Sequence, residues 1–449
     1  MIENIKRRNP NPASFFIKSF ALIILIGTLF LMFPFSSANG TPTDFLTALF
    51  TATSATCVTG LVVVDTGTYW SNFGQLVIFL LIQIGGLSYA VLATGMMLLL
   101  RRKIQLKDRV ILQFSLGTSS LRGIVSFLKN VLIIVAIIET LGAISLFFVF
   151  IKDYPLIKAI KFSIFHSVSA FCNAGFALIG NFKSLTGYVS NPLLVFTITS
   201  LIIIGGIGFI VIYDVIQKLL KRKPHLSLHS KAALSTTLSL IVIGTLVILF
   251  LEFNNPYTLK PLDWKGKLLG AYFQSVTPRT AGYNTLDIGK MRPSTLLFTI
   301  FLMFIGASPG GTGGGIKTVT FFVICLSIST IIFERKNVHF RNRTIPWENV
   351  KRAYVVFFLS FALVSISWLL LLITEPFQPL QSLFEVVSAF GTVGLSTGIT
   401  PYVSSFARVV LILNMFLGRV GTVTAGLALF SPIIKKSHID YPKEEVSIG

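Results

Sequence analysis

Apolar residues fill the chain in long blocks that are parted by short polar ones. Uncharged or nearly uncharged blocks occur at 15–35, 76–100, 131–151, 192–213, 232–251, 353–374 and 409–432. A helix of about 20 apolar residues crosses the roughly 30 Å hydrocarbon core of a bilayer. An eighth block, 294–332, as one straight helix would reach about 58 Å at 1.5 Å per residue, so it must be interrupted. Ser308-Pro309-Gly310-Gly311-Thr312-Gly313-Gly314-Gly315 sits in its middle. The pattern predicts an all-α polytopic membrane protein with eight transmembrane helices. Ser36-Ser37-Ala38 after the first block has the look of a signal-peptidase site, but that block is long enough to span. Shorter half-apolar stretches lie between the blocks of each pair, at 45–55, 159–170, 268–277 and 380–389. They are too short to cross, and they suit re-entrant helices buried in protein or lining a water-filled path.

Each short stretch ends alike: Thr56-Cys57-Val58-Thr59-Gly60-Leu61, Phe171-Cys172-Asn173-Ala174-Gly175-Phe176, Pro278-Arg279-Thr280-Ala281-Gly282-Tyr283 and Phe390-Gly391-Thr392-Val393-Gly394-Leu395. The glycine spacings are 115, 107 and 112, a near-constant period. A second mark, Ile84-Gly85, Ile204-Gly205, Ile305-Gly306 and Leu417-Gly418, follows those glycines by 25, 30, 24 and 24 residues. Two marks in register four times define a unit of helix, re-entrant loop and helix, repeated four times in pseudo-four-fold fashion around one pore. The expected units are 1–100 (pore loop 45–61), 101–223 (a basic linker, then pore loop 159–176), 224–334 (pore loop 268–283 and a Gly-rich loop 306–317) and 335–432 (a linker, then pore loop 380–395). A tail, 433–449, follows, and all form one membrane domain. The second-mark glycines also suit close helix packing. Gly60, Gly175, Gly282 and Gly394, at the ends of short segments, point instead to an unusual backbone angle.

Charge orients this arrangement. Of 449 residues only 12% are charged and 53% are hydrophobic, with a mean hydropathy of +0.79, which excludes a soluble globular or a disordered protein. The net charge is +21. Its basic residues concentrate in 1–14, 101–130, 218–231, 334–352 and 435–449, between the apolar blocks and at the two ends. That distribution places both termini in the cytoplasm, as eight spans require, and assigns the charge to the bilayer surface rather than to nucleic acid. Cys57, Cys172 and Cys325 are odd in number and form no CxxC, so neither a disulfide framework nor a metal site is expected.

Four re-entrant loops around an axis suit an ion filter. Carbonyl oxygens of an extended, glycine-bearing strand replace the water shell of a monovalent cation, and the partly negative C-terminal ends of the short helices favour one. Thr392-Val393-Gly394 comes nearest to the Thr-Val-Gly core of potassium-channel filters, and the first loop has Thr56, Val58 and Gly60. Six glycines within 306–315 cannot hold a stiff helix, so the third unit's second span unwinds in mid-membrane. Gly315-Ile316-Lys317-Thr318 breaks the Walker A pattern, and nucleotide binding there is not expected. Arg419, one residue after Gly418, is a charge at membrane depth and a functional candidate; pairing with an acid such as Glu139 is its alternative. Glu139 itself suits a hydrogen bond to a neighbouring helix or a function. His166 reads as a packing or hydrogen-bonding residue and Glu385 as a support behind the filter. Asp65 is placed to concentrate cations at the outer mouth, and Arg279 must turn away from the axis or toward an acid.

These motifs resemble the membrane subunit of the Trk, Ktr and HKT superfamily of potassium transporters, and most of all its bacterial Ktr type (KtrB/KtrD), over roughly residues 15–432. The resemblance implies a single-subunit selectivity filter built on Gly60, Gly175, Gly282 and Gly394. Its loops here comprise Thr56, Cys57, Val58, Thr59 and Gly60; Cys172, Asn173, Ala174 and Gly175; Arg279, Thr280, Ala281 and Gly282; and Gly391, Thr392, Val393 and Gly394. Gly60 is associated with potassium preference. The resemblance also implies an intramembrane gate at Gly306, Ser308, Pro309, Gly310, Gly311, Thr312, Gly313, Gly314, Gly315 and Lys317, with Arg419 facing the cation path. It further implies potassium-selective uptake across the bacterial plasma membrane. The transported ion is K+, Na+ is the candidate activator or coupling ion, and no cofactor sits in this chain. A homodimer on a cytoplasmic ring of nucleotide-binding RCK/KTN-type subunits such as KtrA or KtrC is implied as the assembly. The alternatives are a less selective K+/Na+ channel or symporter and a neutral-solute channel. A membrane-embedded enzyme is not expected, because no paired catalytic groups occur at depth.

Overall fold

The computed structural model describes residues 12–87, 91, 124–221 and 223–422. Residues 92–100 of the expected second span, most of the basic linker 101–130, the end of the last span and the tail 433–449 lie outside the described residues. The described elements run α1 (Pro12–Met32), α2 (Phe45–Thr56), α3 (Asn72–Leu87), α4 (Ile124–Phe150), α5 (Leu156–Phe171), α6 (Pro192–Gly206) and α7 (Phe209–Leu219). They continue through α8 (Leu228–Glu252), α9 (Trp264–Val276), α10 (Pro293–Phe304), α11 (Thr318–Ile332), β1 (Val338–Phe340), β2 (Arg343–Ile345), α12 (Trp347–Thr374), α13 (Pro379–Gly391) and α14 (Ser405–Val420).

Polar residues at the block edges start these helices. Asp44, Asn191, Ser227, Asp263 and Ser404 each accept a hydrogen bond from a backbone N–H in the first turn of α2, α6, α8, α9 and α14, the usual way to satisfy a donor that has no partner within the helix. The short helices α5 and α9 start three or four residues before the apolar stretches that mark them, because amphipathic first turns such as Lys158 and Lys265 do not break a helix.

Packing follows one scheme. Each helix that precedes a short helix clasps it: α1 on α2, α4 on α5, α8 on α9 and α12 on α13. The helix after each short helix packs on the next short helix along the chain: α3 on α5, α6 on α9 and α10 on α13. Finally α14 returns to α2, which closes a ring within one chain. The second-mark glycines make close approach possible. A Cβ on Gly85, Gly205 or Gly418 would strike the carbonyl oxygen of Thr56, Phe171 or Phe390, each at the end of a short helix. Gly306 departs from this, since its close neighbour is the Gly314 carbonyl in the 306–317 loop.

The structure corrects three expectations. The block 192–213 is not one straight helix: α6 and α7 meet at 102°. Gly208 makes the bend with φ 94°, and Phe209 N donates to Gly310 O (3.0 Å). Gly421 ends α14 with nearly the same angle, φ 93°. A left-handed residue of this kind is cheap only for glycine. The first block ends its α-helix at Met32 and tightens into a 3-10 turn at Pro34–Ser36, where a proline cannot continue the helix. The all-α expectation missed the antiparallel hairpin, in which Val338 pairs with Ile345. Both side chains are buried with Val323, Ile324, Val350 and Ala353 in a small core beside the main one.

Among the described residues, α4, α8 and α12 are each long and apolar enough to cross a membrane, and the bent pair α6–α7 is a fourth candidate. Their outward faces carry large exposed apolar side chains, among them Ile137, Leu141, Leu246, Phe250, Phe361 and Leu369. Apolar surface on this scale needs a cover other than water.

Two carboxylates that no periodicity marks tie helix ends together. Glu252, fully buried at the end of α8, accepts from Arg292 N (3.0 Å) and Thr295 Oγ1 at the start of α10. It also accepts from Asn255 Nδ2 (2.6 Å) and Thr258 Oγ1 (2.5 Å). Glu375, at the end of α12, likewise accepts from Ser404 N (3.1 Å) at the start of α14. Replacing Glu252 by Ala removes the acceptor of four hydrogen bonds, of whose donors Asn255 Nδ2 alone keeps another, Lys290 O (3.0 Å), and each charged hydrogen bond contributes about 1.5–3 kcal/mol. The Glu252→Ala protein is expected to lose at least about 3 kcal/mol, seen as a clear drop in the melting temperature of the detergent-solubilised chain. Glu375→Ala is expected to lose less.

Candidate functional site

The loops that follow α2, α5, α9 and α13 meet at the centre of the ring of helices. In each, two alternate residues have left-handed backbone. The first is Val58 (φ 58°), Asn173 (60°), Thr280 (75°) or Thr392 (49°); the second, two residues on, is Gly60 (92°), Gly175 (68°), Gly282 (78°) or Gly394 (90°). The residue after each pair's first member is not left-handed. Alternation of this kind turns successive peptide dipoles the same way. Backbone N–H groups point back to the short helix: Thr59 N donates to Ser54 O (2.8 Å), Ala174 N to Ser169 O (2.7 Å), Ala281 N to Thr277 O (3.0 Å) and Val393 N to Ser388 O (2.8 Å). Gly60 N and Gly394 N donate to the hydroxyls of Ser54 (3.0 Å) and Ser388 (3.1 Å). Among the described residues no hydrogen-bond donor occupies the carbonyls of Val58, Thr59, Asn173, Ala174, Thr280, Ala281, Thr392 or Val393.

The four glycines touch in chain order. A Cβ on Gly60 would land on Ala174 O, on Gly175 it would lie 2.6 Å from Ala281 O, on Gly282 it would land on Val393 O and on Gly394 on Thr59 O. Each position therefore has no room for a side chain, besides having a left-handed backbone. The result is a closed ring of unpaired carbonyl oxygens, with the C-terminal ends of four helices leading into it. Both features favour a cation.

On one side of the ring a cavity of about 330 Å3 opens, with all four glycines in its wall and Asp65 and Asp287 beside them. Asp65 is held by Thr68 N (2.9 Å) and Phe182 N (2.8 Å), and Asp287 pairs with Lys290 (3.1 Å). On the other side lies the non-helical loop between α10 and α11. Gly314 N donates to Thr392 Oγ1 (2.8 Å), and Gly313 lies against the Thr280 side chain. Ser308 N and Thr312 N donate to Gly206 O (2.9 Å) and Gly205 O (3.2 Å), and Gly315 N donates to Gly418 O (3.3 Å). Lys317 Nζ folds back onto Gly313 O (2.6 Å). This loop thus sits directly under the carbonyl ring.

The singled-out charges take definite places. Arg419 donates to Gly85 O (2.5 Å), and Glu139 accepts instead from Gln83 Nε2 (3.2 Å) of the neighbouring α3. The Arg419–Glu139 pair therefore does not form. Arg279 turns to Thr237 Oγ1 on α8 (3.1 Å), and among the described residues it makes no ion pair. Asn173 is hydrogen-bonded to Thr280 Oγ1 (3.1 Å), which links the second and third loops. Gly391 ends α13 against Met303 O. Cys57 and Cys172 are buried and free, and among the described residues no three His, Cys, Asp or Glu side chains cluster as a metal site.

Residues 3–435 match the family model of TrkH, described as a cation transport protein. The chain belongs to the TrkH family of cation transport proteins. It is 41% identical over 430 residues to the Ktr system potassium uptake protein B of Bacillus subtilis, which covers 96% of this chain and 95% of that one. It is 37% identical to the potassium/sodium uptake protein NtpJ of Enterococcus hirae, over 99% and 98% of the two chains. The fold is similar to the crystal structure of the potassium transporter TrkH from Vibrio parahaemolyticus, with a TM-score of 0.72 at 19% identity over 92% of this chain and 83% of that one. This is a membrane protein of a cation transport family, not of an enzyme family.

Within this TrkH-family chain, sequence reasoning singles out Glu385 as a support and His166 as a hydrogen-bonding residue, but not that the two are a matched pair. Glu385 and His166 each stand nine residues before a ring glycine. Each accepts the backbone N–H of the residue three after that glycine: Thr397 N to Glu385 Oε1 (2.9 Å), Leu178 N to His166 Nε2 (3.4 Å). Glu385 also holds Ser396 Oγ (2.6 Å) and Thr400 Oγ1 (2.8 Å). His166 is tied to Phe162 O (2.7 Å), which leaves Nε2 as the acceptor. The shared offset from the glycine is the signal that could have found the pair. Glu385→Ala frees the chain beyond the fourth loop and is expected to lower K+/Na+ discrimination a few-fold in competition uptake; His166→Leu is expected to have a smaller effect in the same direction.

Proposed function

We propose that this chain is a potassium uptake protein whose ion path runs through the ring of Gly60, Gly175, Gly282 and Gly394. The observation that carries the reading is the closed set of loops with alternating left-handed residues and unpaired carbonyls. The potassium uptake named for the Bacillus relative supports the choice of ion. On this reading the helix–loop–helix groups are four pseudo-symmetric repeats with the boundaries given above. Eight spans cross the plasma membrane, and both termini lie in the cytoplasm with the basic segments. The filter comprises 56–60, 172–175, 279–282 and 391–394. The 306–317 loop and Arg419 form a gate on the cytoplasmic side, and Asp65 and Asp287 draw cations to the outer mouth. An inside-negative potential drives entry by about 2.3 kcal/mol per charge per 100 mV.

The assembly in this reading is a homodimer gated by a separate nucleotide-binding ring of the RCK/KTN type, and sodium acts as activator or coupling ion. "System" in the name of the Bacillus relative supports a partner subunit. A second reading, a less selective K+/Na+ pathway, draws on the name of the Enterococcus relative. Rubidium uptake into liposomes that hold this chain alone, with excess external sodium, separates the two. Uptake that sodium barely blocks supports a potassium-selective pore; uptake that sodium blocks in proportion supports the second reading. A chain that conducts neither ion, even with the 306–317 loop shortened, rules out both.

A further inference from the structure

A second cavity, of about 360 Å3, opens between the start of α8, α11, the β hairpin and the start of α12, with Pro309 of the 306–317 loop in its wall. Its size falls in the roughly 300–1,000 Å3 range of small-molecule sites. The body of the slot is apolar, with Val319, Val323, Ile345 and Val356, while His229 and Arg352 stand in its lining. His229 Nε2 is buried and has no hydrogen-bond partner, and among the described residues Arg352 makes no ion pair. Around the mouth the segment 334–352 carries six basic residues against two acidic ones. The two helices that wall the slot, α11 and α12, also carry exposed apolar side chains at Ile328, Ile331, Val355 and Phe358, the surface from which an acyl chain would approach.

We propose that this slot binds an anionic phospholipid, with one acyl chain along Val319, Val323 and Val356 and the phosphate against Arg352 and His229. A soluble anion would leave the apolar walls wet, whereas a neutral lipid would leave the Arg352 cation unmatched. Basic pockets between helices on the cytoplasmic side of membranes take lipid headgroups of this kind. The site reaches the ion path through two short links. Ser308 Oγ is hydrogen-bonded to Thr318 Oγ1 (2.7 Å) at the start of α11, and Ser308 N donates to Gly206 O (2.9 Å). A chain lodged beside Pro309 braces α11 against the loop beneath the carbonyl ring, so lipid charge regulates flux.

The proposal rests on the membrane orientation given above, but its first readout is lipid retention, which needs no ion flux. The full chain is purified from vesicles of mixed phosphatidylglycerol and phosphatidylcholine, and bound lipid is read by native mass spectrometry. The expected result is selective retention of phosphatidylglycerol. Arg352→Gln is expected to lower it about five-fold, which is what one interfacial cation contributes. Val356→Trp, which fills the slot, is expected to abolish it. Lys351→Gln, exposed and outside the slot, is expected to lower it far less than Arg352→Gln does. Retention without headgroup preference overturns the proposal. So does an equal loss in Lys351→Gln and Arg352→Gln, which would mean diffuse surface attraction. If Val356→Trp keeps its lipid but loses a copurifying cytoplasmic protein, the slot belongs to a protein partner and the proposal also falls.

Discussion

Removal of residues 310–314 is expected to raise basal rubidium flux about ten- to hundred-fold. The deletion takes away three contacts that hold the loop under the carbonyl ring: Phe209 N to Gly310 O (3.0 Å), Thr312 N to Gly205 O (3.2 Å) and Gly314 N to Thr392 Oγ1 (2.8 Å). Each such bond contributes about 1 kcal/mol net. If the loop is the gate proposed above, three together bias its closed state by about 3 kcal/mol, or roughly a hundred-fold in population at 1.4 kcal/mol per factor of ten. Incomplete opening of the rest of the loop, where Ser308 still holds Gly206, sets the lower figure. Liposome uptake by the deleted chain, checked for a single monodisperse species, is the measurement. Lost flux in a well-folded chain would count against a gate at this loop.

Gly60→Ser is expected to cut K+/Na+ discrimination by about ten-fold or more. The φ of 92° is costly for any residue with a Cβ, by about 1–2 kcal/mol. The new Cβ would also clash with Ala174 O of the second loop. The first loop must therefore withdraw or the Ala174 carbonyl must turn, and either widens the ring on one side. Selective coordination depends on the number and placement of carbonyl dipoles, so the smaller, more strongly hydrated sodium gains most. Competition of sodium with rubidium in the same liposomes reads the change. Gly187→Ala serves as control, since a Cβ there meets nothing within 4 Å; it should behave as wild type. An unchanged ratio in Gly60→Ser would remove that residue from the ion path.

Periodicity made some of this molecule legible and left other parts dark for identifiable reasons. The near-constant spacing of Gly60, Gly175, Gly282 and Gly394 singles out four residues that touch one another in the structure, because a glycine needed for both backbone angle and space tolerates no substitute. The break in 294–332 was legible because its length exceeds a bilayer. The bend at Gly208 was not: that glycine stands inside an unbroken apolar block, and only the contact of Phe209 with Gly310, about a hundred residues away, shows why the helix turns. Glu252 and Glu375 look like residues at helix ends, and nothing local reveals that they reach across to Arg292 and Ser404. His166 and Glu385 differ in residue type, so matching letters conceals that they take the same backbone group. The hairpin 338–345 sits in a basic segment whose charges hide its few buried apolar positions.

Closure of the helix ring by α14 against α2 has a consequence in time. Arg408 reaches Thr47 Oγ1 across 361 positions of sequence, and Gly394 is the neighbour of Gly60. At about 5–20 residues per second of synthesis, the first loop waits roughly 20–70 s after its own emergence for the partner that completes it. During that interval one flank of α2 and the Thr59 carbonyl face whatever else the membrane holds. The half-made chain is thus the stage most exposed to mispairing, and ribosome-arrested chains ending before residue 405 should crosslink from α2 to chaperones or insertion machinery, while full-length chains should not.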